Sequence, residues 1–258
     1  TAMGPTALDA NTTGSYNTGI AYRALTANID GEKNTAIGYN AMEANTTADN
    51  NVAVGAQALQ ANTTGTNNTA VGFDALNDNV TTSGNTAIGK QSLSKNIAAN
   101  NTSVGYLSLV ENTTGANNVA VGFEALQENT TGASNTAVGS ESLDANTTGS
   151  DNVAMGRHAL GGNTTGVQNT ALGKSSLFSN TTAGNNIAVG FEAAKLNTTG
   201  TRIIAIGANA YDASDTENDN LAIGYAAMTT NTAGGQYNIA IGNYAGDAIT
   251  SGDNNTVM

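Results

Sequence analysis

A short motif recurs along the whole chain, and this repetition constrains the fold more than any other feature. Its core, Asn-Thr-Ala-Ile-Gly at residues 34–38, returns every 17 residues, apart from one interval of 16 before Gly105 and one of 18 before Gly242. About fifteen copies fill the 258 residues. Repeats of this kind form one small structural unit each, and each unit buries its apolar surface only against its neighbours. The sequence therefore predicts a single tandem-repeat domain over residues 1–258.

Positions within the unit are numbered here from this repeat glycine, with negative numbers for the residues before it. Position −1 is aliphatic, position −2 is small, position +3 is Ala or Ser, and position +4 is mostly Leu. The alternation before the glycine predicts a short strand with one small face and one branched face. Neither face is polar, so one is expected to fill the coil and the other to meet a second chain. The residues assigned to the core or to such an interface are Ile37, Val54, Val71, Val121, Leu59, Leu76 and Leu126.

The stretch from +1 to +6 allows two interpretations. Residues 123–128, Phe-Glu-Ala-Leu-Gln-Glu, would form a good helical turn by propensity. Packed helices, however, need about 8–10 Å between their axes, whereas coils of a β-solenoid stack about 4.8 Å apart. A second short strand or extended segment is therefore favoured over a helical turn.

The segment Asn-Thr-Thr-Gly at +7 to +10 has the chemistry of a turn, because Asn and Gly tolerate left-handed backbone and Thr hydroxyls bond locally. Both changes of interval fall between this Asn and the next strand, so the segment is predicted to be the outer corner of each coil. The repeat glycines are also expected to sit at structural corners, and those assigned are Gly38, Gly55, Gly72, Gly122 and Gly139.

Asparagine recurs at positions −4 and +7. Stacked coils place identical amides above one another, where their donors and acceptors can hydrogen-bond along the stack. The residues assigned to such a ladder are Asn45, Asn62, Asn129 and Asn146. The same Asn-Thr-Thr sequences are formal N-glycosylation acceptors, although the turn would need them in any case.

Composition argues against several classes of function. The net charge is −12 with only eight Lys and Arg, which disfavours nucleic acid as a partner. There is no Cys, and no run of about 18 apolar residues suggests insertion into a membrane. The only histidine, His158, lies at a variable position that is expected to be exposed. Carboxylates at the same position repeat one surface environment instead of forming a unique pocket; they are Asp74, Glu124, Glu141 and Glu192. The sequence thus predicts no enzyme and no catalytic, cofactor or metal site.

One unit departs from the pattern. Position −4 is Ile203 instead of Asn, and the Leu and Asn-Thr-Thr-Gly positions fail in residues 211–217. A broken unit can mark a binding site or an interruption of the array. Drift in a tolerant surface loop is the interpretation favoured here.

The strand core N-[TVS]-A-[IV]-G-x-x-A resembles the head repeats of YadA-like trimeric autotransporter adhesins. The whole unit, as in residues 68–76, also resembles the Asn-Thr-Thr-Gly arrays of bacteriophage tail fibres and related bacterial surface proteins. The adhesin heads are left-handed parallel β-rolls in which three chains lie side by side and bind matrix or host surfaces. The 17-residue unit is longer than theirs, which leaves the number of strands per coil open.

Together these observations predict an all-β fold, a parallel β-solenoid of the left-handed β-roll type with about fifteen 17-residue coils, assembled as a parallel homotrimer. A monomer would expose the aliphatic residues of position −1 as one long apolar stripe. The expected role is that of an extracellular fibre or adhesin shaft on a virion or cell surface, a piece of a longer fibre that displays a receptor-binding end to a host glycan or protein. The alternative is a surface-binding solenoid, for instance an ice binder, that uses its Thr and Asn ladders.

Overall fold

The structure is a computed structural model that describes residues 1–213, 215–230 and 234–258, in two compact units, Thr1–Thr131 and Gly132–Met258. All regular secondary structure among the described residues is β, with one short strand in each coil. The first unit contains β1 (Ala2–Met3), β2 (Thr18–Ile20), β3 (Thr35–Ile37), β4 (Val52–Val54), β5 (Thr69–Val71), β6 (Thr86–Ile88), β7 (Thr102–Val104) and β8 (Val119–Val121). The second contains β9 (Thr136–Val138), β10 (Val153–Met155), β11 (Thr170–Leu172), β12 (Ile187–Val189), β13 (Ile204–Ile206), β14 (Leu221–Ile223), β15 (Ile239–Ile241) and β16 (Thr256–Val257).

Within each unit, every strand pairs in parallel with the next strand along the chain. Equivalent positions of the repeat stand opposite each other, as in Ala53 with Ala70 and Val54 with Val71. The register survives both changes of interval, because Val104 still pairs with Ile88 and Ile241 still pairs with Ile223. The prediction of an all-β parallel solenoid with coils of about 17 residues is therefore confirmed.

The stretch from +1 to +6 forms turns, so the prediction of a second strand or extended segment there is wrong. In residues 73–78 the backbone turns left-handed at Asp74 (φ 59°) and at Leu76 (φ 52°). As a result, the consecutive side chains of Ala75 and Leu76 are both fully buried, whereas a pleated strand would send them to opposite faces. The backbone still bonds to the neighbouring coil, since the Leu59 N–H donates to the Ala75 carbonyl at 2.9 Å.

Three positions of the unit, +2, +4 and +12, hold side-chain-bearing residues with positive φ in coil after coil. This backbone conformation is unfavourable for most L-residues and worst for β-branched ones. Position +12 is accordingly rich in Asn and Asp, which tolerate it best. Position +4 is Leu or Met in most units and is never Val, Ile or Thr. The left-handed backbone therefore explains why this apolar position is always unbranched at Cβ.

The interior of the coil is narrow. It is filled by the Ala of position −2, the Ala or Ser of position +3 and the Leu of position +4, all fully buried in unit after unit. Small side chains at two of these three positions let the strand and the turn segment approach closely, and the Leu column fills the remaining space. Close packing of this kind makes the interior sensitive to a change in side-chain shape.

We expect Leu76→Ile to destabilise the protein by about 2 kcal/mol or more, because it places a β-branched residue at φ 52° inside a filled core. Leu76→Met is the matched control, since Met already occupies this position at Met42 and Met228 and should cost less than about 1.5 kcal/mol. Denaturant unfolding of the two variants checks the difference. Equal losses would show that side-chain volume alone governs this position.

Candidate binding surface

The structure divides the predicted core or interface residues into two sets. Leu59, Leu76 and Leu126 are fully buried inside the coil. The residues at position −1 point outward from the strand: Ile37 is exposed, and Val54, Val71 and Val121 are partly exposed. The aliphatic column of position −1 is thus a surface feature, and the Leu column belongs to the core.

The outward strand face carries a second column, at position −3, which sequence reasoning did not single out. Positions −3 and −1 share one face of the strand while position −2 points inward, as the burial of Ala70 between the partly exposed Thr69 and Val71 shows. The period of two in a strand was the signal that could have found this column. Each coil therefore presents two adjacent outward residues, most of them apolar.

Exposed aromatic rings at position +1 extend this face beyond the repeat glycine. Tyr22 stacks on Tyr39 with ring centroids 5.6 Å apart, and Tyr106 stacks on Phe123 at 5.8 Å. Lys90 places its ammonium group 5.7 Å from the Tyr106 ring. These rings add exposed apolar surface beside the strand face, in stretches that residues such as Ala56 and Lys90 interrupt.

The repeat glycines lie where the strand ends and the chain turns. Gly72 has φ 138°, and a Cβ built there would come within 2.5 Å of the Gly89 carbonyl oxygen in the next coil. Gly38, Gly55, Gly122 and Gly139 have φ between 134° and 146°. Both backbone conformation and close approach exclude a side chain at Gly72.

The asparagines of position +7 form a ladder of amides inside each unit. The Asn62 side-chain N–H donates to the Asn45 Oδ1 at 3.1 Å and to the Gly65 carbonyl at 3.0 Å, while its own Oδ1 accepts from Asn79 at 3.1 Å. Asn129 donates to the amide oxygen of Asn112, and Asn163 donates to that of Asn146. These side chains are fully buried, so each amide both bridges coils and closes its own turn.

The asparagines of position −4 form a second set of links between coils. The Asn51 Oδ1 accepts from the backbone N–H of Asn68 at 2.8 Å, and the Asn51 amide donates to the Gly65 carbonyl at 2.9 Å. Both partners lie in the next coil. Together the two columns pair most of their buried side-chain amides, from coil to coil, with partners that carry no charge.

The threonines of the Asn-Thr-Thr corner differ in their availability. At position +8, Thr46 donates its hydroxyl to the Thr63 carbonyl at 3.1 Å, and Thr147 donates to the Thr164 carbonyl at 3.0 Å. The threonine of position +9, such as Thr64, is exposed. The buried Asn of the same corner has both its amide donors engaged, which removes it from the reach of a glycosylating enzyme in the folded protein.

The unit that departs from the repeat is rebuilt around two large side chains. Tyr211 replaces the Leu of position +4, is fully buried and accepts a 2.7 Å hydrogen bond from the Asn220 amide. Glu217 replaces the Gly of position +10 and is also buried. Its carboxylate accepts from the backbone N–H groups of Asp215, Thr216 and Gly234, each at 3.0 Å. Ser214, in the same segment, lies outside the described residues.

Buried side chains with several hydrogen bonds are not expected of a surface loop whose sequence has merely drifted. The Glu217 carboxylate accepts hydrogen bonds from its own turn and from Gly234 in the next coil, which carries the extra residue of the 18-residue interval. One side chain thus connects the two departures from the repeat. The strand of the unit, β13, stays in register with both neighbours. No sequence signal indicated this compensation, because it depends on a contact 17 residues away.

The histidine environment is less open than the sequence suggested. His158 is half-buried, places its Nδ1 3.3 Å from a Glu141 oxygen and meets the ring of Phe178 edge to face. Beside it, burial raises the pKa of Asp144 to about 6, and the negative charge of Glu141 adds to this shift while backbone hydrogen bonds and His158 oppose it.

A shallow hollow in the first unit is lined by small and polar side chains. Arg23 and Glu43 form an ion pair across it at 2.5 Å, and Gln60 donates to Glu43 at 2.8 Å.

The described residues contain no group of three or more His, Cys, Asp or Glu side chains that could hold a metal ion. They also include no helix of the length and hydrophobicity needed to cross a bilayer.

The chain matches no protein-family model, and no curated protein is significantly similar to it. The resemblance to adhesin heads and tail-fibre arrays therefore rests on the repeat motif itself. The outward strand face is the most extensive candidate for binding in either unit.

We expect Asn62→Ala to destabilise the protein by about 3 kcal/mol, because the change removes three buried hydrogen bonds and takes this partner away from the Asn45 Oδ1 and from an Asn79 amide N–H. Thr64→Ala, two residues away at the exposed corner, is the control and should change stability by less than about 0.5 kcal/mol. Chemical denaturation of both variants checks this. Similar small effects would mean that the amide ladder adds little to stability.

We expect Asp144→Asn to stabilise the protein near pH 7.5 and to have little effect below pH 4. The folded-state pKa of Asp144 is raised from 3.8 to about 6, so ionisation opposes folding as the pH rises through this range. Melting temperatures of wild type and variant at both pH values check the sign. Asp151→Asn, at an exposed position, controls for the loss of one charge; an equal gain there would contradict the role of burial.

Proposed function

We propose that the chain is the shaft of an extracellular fibre or adhesin, in which three parallel copies associate and hold a receptor-binding end away from a virion or cell surface. The observation that carries the proposal is the outward strand face, whose aliphatic side chains are exposed in some coils and partly exposed in the others. Three is the number of copies that the resemblance to the adhesin heads implies. A host surface glycan or protein is the proposed receptor.

The coil-to-coil bonding supports a structural role. Each coil within a unit bonds to its neighbours through parallel strand pairing and through buried amides, so the stack can be extended by adding further identical units. Rigidity along the stack follows from hydrogen bonds at every strand, corner and turn. A spacer requires this property, whereas a unique pocket is not needed.

The outward face supports association between copies. Soluble monomers rarely expose apolar patches of more than a few hundred Å², and position −1 of the strand face is aliphatic in consecutive coils of either unit. Burying one such side chain contributes about 1.5 kcal/mol or more. If the copies run parallel, positions −3 and −1 of one copy face the same positions of the next copy at every coil.

The test uses the absence of cysteine from the chain. We expect sedimentation at micromolar concentration to give three times the chain mass. In a parallel in-register assembly, Val71→Cys on the outward face should be cross-linked between copies by a short bismaleimide reagent. Thr64→Cys, at the exposed corner away from that face, is the matched control and should not react in this way.

A stable, folded monomer at micromolar concentration would contradict the proposal. An oligomer that cross-links at position 64 in preference to position 71 would support self-association, but through the Asn-Thr-Thr corner instead of the outward strand face.

A further inference from the structure

The outward face is not uniform along the chain. In the first unit, position −3 is mostly threonine, as in Thr35, Thr69 and Thr86. In the second unit, the same position becomes a large aliphatic residue over four consecutive strands, β12 to β15. The β12–β15 face is defined here by its residues at positions −3 and −1, which are Ile187, Val189, Ile204, Ile206, Leu221, Ile223, Ile239 and Ile241.

We propose that the β12–β15 face is the surface at which a second copy of this chain is held most tightly, so that the association of copies is concentrated in the second unit. The inference rests on the proposed function and goes further, because it assigns most of the affinity to one segment. The first unit then contributes a weaker contact along the same type of face.

Apolar surface is the first argument. The five isoleucines at positions 187, 204, 206, 239 and 241 are each between 37% and 41% exposed. With Val189, Leu221 and Ile223, which are partly exposed, they present on the order of 500 Å², the size of the largest patches that soluble monomers carry. Phe191 and Tyr225 at position +1 border the same face and are also exposed. The total approaches the roughly 800 Å² per partner of a stable interface.

Geometry indicates which partner fits. Neighbouring strands lie about 4.8 Å apart, and each presents one pair of outward side chains. A second solenoid with the same spacing can interlock with these rows at every coil, as identical segments do in dry sheet-to-sheet interfaces. A surface without that period would meet the rows at only some of the coils.

Charge is the third argument. The chain carries a net charge of −12, which opposes the approach of a second copy. The four strands, however, contain no charged residue. At their border, Arg202 is already bound to Asp219 by two hydrogen bonds of 2.6 and 2.8 Å. The charges of Arg202 and Asp219 therefore offset each other within the chain.

The experiment compares two triple variants with the same chemical change. Ile187→Thr, Ile204→Thr and Ile239→Thr convert position −3 of the second unit to the residue that the first unit carries there. The control, Ile20→Thr, Ile37→Thr and Ile88→Thr, removes three isoleucines from the outward face of the first unit. Threonine has a high strand propensity, so both variants should keep the fold. Circular dichroism and hydrogen exchange verify this.

We expect sedimentation equilibrium to show at least a 100-fold weaker association for the second-unit variant and less than about a 10-fold change for the control, since central aliphatic anchors dominate interface energy. If the second-unit variant does not fold, valine replaces threonine at the same three positions of each variant. We then expect a smaller loss of association, which is still larger for the second-unit variant than for the control.

Equal weakening by both variants would overturn the inference and leave the proposed self-association intact. A monomeric wild type would overturn the proposed function as well. Binding of that monomer to neutral phosphatidylcholine vesicles, lost in the second-unit variant alone, would assign the β12–β15 face to a lipid surface instead.

Discussion

The self-complementary hydrogen bonding of buried asparagine is the interaction on which the rest of the structure depends. When identical coils stack at strand spacing, every inward polar group faces a copy of itself. A carboxylate or an ammonium group would meet its own charge there, whereas an amide has both a donor and an acceptor and can pair with another amide. Asn45 and Asn62 illustrate this pairing, and each also closes its own corner through a backbone carbonyl. The same requirement disfavours charge inside the coil, and the buried Glu217 carboxylate is accommodated because backbone N–H groups donate to it.

Stacking at this spacing also determines the backbone of the turn segment. Its N–H and C=O groups must reach the neighbouring coils while two consecutive side chains, such as Ala75 and Leu76, both point inward. Left-handed residues at +2 and +4 meet both conditions, at the cost of a conformation that most side chains disfavour. Burial of a leucine in most coils offsets that cost. The strand is then free to send its positions −3 and −1 outward, which creates the candidate binding surface.

The repeat, the strand and its register could be predicted from the sequence because they follow from the spacing and alternation of apolar residues. The inward placement of Ala70 and the turn chemistry of the Asn-Thr-Thr corner follow in the same way. The backbone of positions +1 to +6 could not be predicted, since propensity there favours helix and no residue type signals a left-handed leucine. The outward column at position −3 was implied by the strand period, yet its change from Thr35 to Ile204 has meaning only once the face is known to be exposed.

Departures from the repeat inside the coil show how strict the interior is. Ser103 stands where most units have Ala, and it occurs together with Ser92 and Ser108: Ser92 donates to the Ser103 hydroxyl at 2.7 Å, and Ser103 donates to the Ser108 carbonyl at 2.8 Å. Tyr211 and Glu217 are likewise hydrogen-bonded. The Asn220 amide donates to the Tyr211 hydroxyl, and backbone N–H groups of its own turn and of the next coil donate to the Glu217 carboxylate. A buried polar side chain needs a partner inside the stack, and Ser142 and Ser176 find one in the backbone carbonyls of Ala154 and Gly173. Outward positions face no such condition, so their residues can vary while the stack stays intact.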